Sequence, residues 1–147
     1  MCHNTAAKGE IYTKWSATAH AKAYATLASE AAKKIATEKG IADAQKADAC
    51  LKCHVTGYNA KAEMKGAKYS AEEGVTCESC HGAGGDYEKN PTMKGLADGT
   101  IKPETVGLLV PDEKTCVGCH NAESPTFKGF KFAEMWPKIE HKVPAKK

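Results

Sequence analysis

The stretch Gly74-Val75-Thr76-Cys77-Glu78-Ser79-Cys80-His81-Gly82 decides the reading of this chain. At its centre is C-x-x-C-H. The pentad recurs upstream as Cys50-Leu51-Lys52-Cys53-His54 and downstream as Cys116-Val117-Gly118-Cys119-His120. Two thiols at this spacing add to the two vinyl groups of one haem, and the histidine that follows ligates its iron. Both thioethers must lie on one edge of a single macrocycle while the next side chain comes up beneath it. One such pentad is weak evidence; three in 147 residues define a multihaem c-type pattern. Zinc held by the C-x-x-C pairs is the competing reading, but zinc sites seldom set a histidine directly after every pair.

The three pentads use six of the seven cysteines. Cys2 is left over, and His3 follows it. Met1-Cys2-His3 reads as the tail of a fourth pentad whose first thiol precedes the chain; a free or lipidated N-terminal thiol is the alternative. The expected cofactor is haem c, four copies and at least three. The attachment residues are Cys2, Cys50, Cys53, Cys77, Cys80, Cys116 and Cys119, and the proximal ligands are His3, His54, His81 and His120. Two histidines remain, His20 and His141. Both are assigned as distal ligands, imidazole being the common sixth ligand where no gas is bound. Two irons still lack a second histidine. Met64, Met93, Met135, an open position, or a histidine from another chain are the candidates. Met93, in Asn90-Pro91-Thr92-Met93-Lys94, is the methionine assigned, against the plainer reading of a packing residue.

Only 41% of the residues are hydrophobic and the mean hydropathy is −0.50. That is a poor supply of core for one domain over residues 1–147, so buried macrocycles are expected to fill the interior. The formal net charge is +3. A ferric haem with ionised propionates carries roughly −1, so four bring the holoprotein to about −1. The lysines then read as propionate partners and a docking surface. No basic run interleaved with aromatics points to nucleic acid. No stretch is long and apolar enough to span a membrane, and no signal peptide is present. Haem attachment of this kind takes place outside the cytoplasm, so an exported protein, periplasmic or extracellular, is expected, in mature or truncated form.

The fold class expected is mainly α, with short helices and long loops wrapped around stacked haems. Residues 5–38 have strong helix composition. Two helices with a joint near Trp15-Ser16-Ala17-Thr18 are predicted, with Ser16 or Thr18 capping the second and Gly40 closing it. Residues 43–49 are read as a short helix, 55–74 as a loop, and 82–112 as a long irregular connection. Residues 131–141 form the last helix, limited by Pro137. The tail 142–147 is basic and expected to be mobile. No strand alternation is found.

Several segments resemble one family. They are Cys2-His3 through Trp15-Ser16-Ala17-Thr18-Ala19-His20-Ala21-Lys22-Ala23, then Gly74 to Gly84, then Phe130-Lys131-Phe132-Ala133-Glu134-Met135. Together they are similar to the cytochrome c-554 family, tetrahaem cytochromes that accept electrons from hydroxylamine oxidoreductase. The resemblance spans nearly the whole chain in order. It implies a mainly helical fold with four haems in closely stacked pairs. It implies that His20 is the distal ligand of the haem on Cys77 and Cys80, and His141 that of the haem on Cys116 and Cys119. It implies a five-coordinate haem on Cys50 and Cys53. The chain departs from the family at Gly85 to Met93, where a ligating histidine is missing, and in a shorter stretch after His120.

Electron transfer between redox protein partners is the leading functional reading, with a donor oxidoreductase and an acceptor cytochrome or quinone-linked complex. An enzyme reducing nitric oxide at an open iron is the second. A haem wire of repeating subunits, with ligands donated between copies of the chain, is the third.

Overall fold

The computed structural model describes residues 2–144, the side chain of Cys2 excepted. Eight short α-helices succeed one another: α1 (Ile11–Ser16), α2 (Ala23–Thr26), α3 (Glu30–Glu38), α4 (Asp48–His54), α5 (Cys77–His81), α6 (Asn90–Asp98), α7 (Glu113–Val117) and α8 (Phe132–Met135). Turns of 3-10 helix lie between them, and no strand occurs among the described residues. The mainly α class read from the sequence is the class observed.

Side-chain core is scarce. Among the described residues seven are buried, and three of those are glycines: Gly9, Gly74 and Gly95. The apolar four are Leu27, Ala36, Ala44 and Val55. Leu27, Ala36 and Ala44 cluster, with Ile41, Cys50 and Leu51 packed against them. Ordering a residue costs about 1–2 kcal/mol, while apolar burial returns about 25 cal/mol per Å2. Four small apolar residues cannot offset the ordering of a chain this long. Something beyond its own side chains must fill the interior.

The N-terminal helical run breaks more often than the composition predicts. Ser16 and Thr18 do not cap a following helix. Their hydroxyls donate backwards, Ser16 Oγ to Thr13 O at 2.9 Å and Thr18 Oγ1 to Trp15 O at 2.7 Å. The working cap is Ser29, whose Oγ accepts from Ala32 N at 3.2 Å and starts α3. Gly40 closes α3 as expected: its φ is 68°, and Ile41 N donates back to Ala36 O at 2.8 Å.

Two further expectations are corrected. Residues 43–47 are a turn, pinned by Gln45 N donating to Asp43 Oδ1 at 2.9 Å, and the helix begins at Asp48 and runs through the second pentad. The connection over 82–112 is not irregular throughout, because α6 occupies Asn90–Asp98. Pro91 in its first turn and Gly99 just past its end are the start and stop signals of a helix. The last helix is shorter than read. α8 stops at Met135 and a 3-10 turn, Trp136–Lys138, carries Pro137. Of the tail, residues 145–147 lie outside the described residues; Lys142 and Pro144 lie against Gly9.

Candidate functional site

Each complete pentad is wound into a helical turn. α4 holds Cys50, Cys53 and His54; α5 holds Cys77, Cys80 and His81; α7 holds Cys116, and the turn continues until His120 N donates to Cys116 O at 2.9 Å. On a helix, positions i, i+3 and i+4 share one face. Two sulfurs and an imidazole are thereby presented together, the donor set that one macrocycle edge and its iron require. α7 is started by a capping box in which Asp112 Oδ1 accepts from Thr115 N at 3.0 Å.

His20 and His141 each stand beside a pentad histidine. The ring of His20 meets that of His120 edge to face at 77° with centroids 6.0 Å apart, and the ring of His141 meets that of His81 at 62° and 5.9 Å. A metal–imidazole bond of about 2.0–2.1 Å sets each centroid about 3.2 Å from the metal, so two axial imidazoles stand about 6.4 Å apart. Both centroid separations are of that size. The ring beside His20 is that of the Cys116–Cys119 pentad, and the ring beside His141 is that of the Cys77–Cys80 pentad, whereas the family resemblance implies the opposite assignment. The turn carrying His20 is bonded to the segment before Cys77, Val75 N donating to His20 O at 3.0 Å.

Ring tautomers agree with the assignment. Nδ1 of His54 lies 2.7 Å from Ala23 O, that of His81 3.2 Å from Leu109 O, and that of His141 3.1 Å from Ile139 O. A carbonyl oxygen only accepts, so each Nδ1 carries the proton and leaves Nε2 as the free lone pair. His20 is held below its ordinary pKa by burial and, secondarily, by His120. Both effects favour its neutral form. His120 is steadied by stacking on Phe130, centroids 5.0 Å apart.

The pentads converge. His54 is anchored on Ala23, and Val75 N donates to His20 O at 3.0 Å. Thr56 N donates to Gly74 O at 2.9 Å, and Thr56 Oγ1 accepts from Thr76 N at 2.7 Å. The stretch from His20 to Ala23 thus touches His54, the segment leading into Cys77, and His120. Burial pushes the Cys119 thiol up to about 11, helped by Cys53 and Cys80 nearby, and burial followed by Cys116 raises Cys80. Cys53 and Cys80 therefore lie near Cys119. An exposed ion pair, Lys52 with Glu123, bridges the second pentad to the segment after the fourth. Among the described residues no three His, Cys, Asp or Glu side chains gather as a metal cluster.

The remaining residues assigned from sequence are less completely placed. His54 is half-buried, and among the described residues no second imidazole pairs with it. His3 is exposed in the middle of a 3-10 turn, Cys2–Asn4. The thiol of Cys2 lies outside the described residues. Met93 is half-buried on α6. A cavity of about 250 Å3 lined by Lys8, Lys94, Ala97 and Asp98 sets α6 beside the segment following His3. The structure brings those two segments together without placing Met93 on His3. Sequence reading gave no role to Trp15, Tyr87 or Phe130. Trp15 Nε1 donates to Val75 O at 2.9 Å, and Tyr87 Oη donates to Gly82 O at 2.7 Å and His81 O at 3.1 Å. Tryptophan and tyrosine beside the pentads were the available signal, since their polar ends need partners when half-buried.

Thiol pairs on helical turns, each trailed by an imidazole, with two of those imidazoles facing another across an iron-sized gap, define a haem c-binding protein of the cytochrome c class. The chain belongs to the cytochrome c554 and c-prime family, whose model matches residues 1–82. It is also 31% identical over 161 aligned residues to cytochrome c-554 of Nitrosomonas europaea. That alignment takes in 96% of this chain and 64% of the relative, so the chain spans somewhat under two thirds of the relative's length. A comparison with solved structures found no match.

Proposed function

We propose that the protein is an electron carrier, a tetrahaem c-type cytochrome working between redox protein partners. The observation that carries the reading is the pair of facing imidazoles, His20 with His120 and His81 with His141, at 6.0 and 5.9 Å. Haem c supplies a one-electron iron couple whose potential follows its axial ligands. At these two positions the chain's own imidazoles would hold the iron from both sides. That would leave no room for a substrate there, which supports carriage of electrons. Convergence of the pentads on His20–Ala23 supports close spacing of the cofactors.

In this reading Cys50 and Cys53, Cys77 and Cys80, and Cys116 and Cys119 hold three haems, and Cys2 with His3 holds the fourth. Met93 is the sixth ligand proposed at His3, since α6 lies beside that segment. The partners proposed are a donor oxidoreductase and an acceptor cytochrome or quinone-linked complex, in the periplasm or outside the cell. No helix among the described residues is long and apolar enough to cross a membrane. Intact mass of the purified holoprotein tests the haem count, and a redox titration tests the carriage. Four haems and several separated reduction steps are expected. One haem, or a single step, sinks the proposal.

One observation favours a second activity. His54 has a bonded Nδ1 and, among the described residues, no imidazole beside it, so an iron held there would keep one side open to a small ligand such as nitric oxide. A high-spin ferric signal that nitric oxide removes is the expected result. If every iron is low-spin and inert, that activity is absent.

A further inference from the structure

Each distal histidine is backed by a buried glycine from a different segment. We propose that Gly74 and Gly9 are positioning residues that set the axial ligation of His20 and His141 respectively. The inference rests on the histidine pairing proposed above.

Gly74 has a φ of 70° and is buried. A Cβ there would stand 2.8 Å from His20 O, 3.2 Å from Ala23 N and 3.3 Å from Tyr24 N. All three neighbours are backbone, so none can swing aside. The contact is also bonded on both sides: Val75 N donates to His20 O at 3.0 Å, Trp15 Nε1 to Val75 O at 2.9 Å, and Thr56 N to Gly74 O at 2.9 Å. The turn that aims His20 at His120 is therefore laid flush on a residue without a side chain. Any side chain at position 74 must lift that turn, and the His20 ring with it.

Gly9 repeats the arrangement at the other pair. Its φ is 78° and it too is buried. A Cβ would collide with the carbonyl oxygen of Lys142 and stand 3.5 Å from Pro144 Cδ. Lys142 directly follows His141, so the segment presenting that imidazole is seated on Gly9. The next residue, Glu10, is the non-glycine with positive φ among the described residues, at 51°. The backbone is turned sharply here to receive the tail.

The two contacts act across the chain. Gly74 lies three residues before Cys77, yet it positions the ligand of the Cys116–Cys119 centre. Gly9 follows the first motif, yet it positions the ligand of the Cys77–Cys80 centre. A merely local packing role predicts disturbance at the neighbouring pentad instead.

The experiment uses the haem-loaded protein carrying Gly74→Ala, Gly9→Ala or Gly40→Ala. Gly40 has a φ of 68° with nothing within 4 Å of its would-be Cβ, so it reports the cost of positive φ alone. The readouts are the ferric spin state and the number of irons that bind cyanide. Gly74→Ala and Gly9→Ala are each expected to gain one high-spin, cyanide-binding iron, and Gly40→Ala none. Adding Gly74→Ala to His20→Ala, or Gly9→Ala to His141→Ala, should bring no further gain. Spectra of Gly74→Ala and Gly9→Ala that match Gly40→Ala overturn the inference, as does a gain that adds to the histidine variant's own. If His20→Ala and His141→Ala themselves gain no such iron, the pairing has failed rather than the glycine contact. Should Gly74→Ala not accumulate, Trp15→Phe loosens the same contact. It should speed cyanide binding at the iron that His20→Ala opens, and an unchanged rate overturns the inference.

Discussion

The Cys50–His54 centre and the two centres beyond it are built differently. His54 sits against the small apolar cluster of Leu27, Ala36 and Ala44, through Cys50 and Leu51, and its ring is fixed by a short bond to Ala23 O. Among the described residues His81 and His120 have no such cluster behind them. Each instead stands beside an imidazole from a distant part of the chain. In the proposed ligation, the ligand from the far segment would double as the cross-link that core would otherwise provide. Ligation and folding would then be the same free energy at those two positions.

Removing the attachment cysteines at Cys116 and Cys119 tests the contrast most severely. The double alanine variant should lose one haem by mass and, with it, the link from α7 to His20. Its loss of stability should exceed that of any single core substitution, amounting to several kcal/mol in a denaturant melt. The opposite side is probed by Leu27→Ala. It should cost about 2–4 kcal/mol by the same melt and leave the low-spin spectra of the paired centres unchanged. If those spectra move as well, the two kinds of centre are not independent. Tyr87→Phe removes the hydroxyl that holds His81 O and Gly82 O. A loss of about 1 kcal/mol is expected, confined to the His81 centre. Ser29→Ala strips the cap of α3, behind the His54 centre, and should cost about 1 kcal/mol without touching either imidazole pair. The smallest effect belongs to Lys52→Ala. Its ion pair with Glu123 is exposed, and the melting temperature should not move measurably.

Much of the site could be read in advance because its chemistry fixes its spacing. Cysteine, cysteine and histidine at i, i+3 and i+4 admit few other uses, and all three complete pentads lie on helical turns. His20 and His141 stand out by elimination as the histidines outside the pentads. The rings they stand beside were not legible, because that neighbourhood is decided by backbone bonds such as Val75 N to His20 O, which leave no trace in composition. The α6 helix carried its signals openly in Pro91 and Gly99 and was passed over among many glycines. The breaks around Ala17 and Ala28 defeat propensity arguments. Alanine-rich sequence favours helix wherever tertiary contacts do not insist otherwise, and here the need to deliver His20 insists.

Sequence order has a price in time. His20 and its partner His120 are a hundred residues apart, with the second and third pentads between them. In the proposed ligation the early imidazole would be within reach of other irons before its own centre is formed. Transient capture by the wrong centre would hold the chain in a misassembled state. Renaturation of the haem-loaded protein should then show a slow phase that a competing free imidazole shortens. Assembly of so small a protein would then be paced by which iron each histidine finds first.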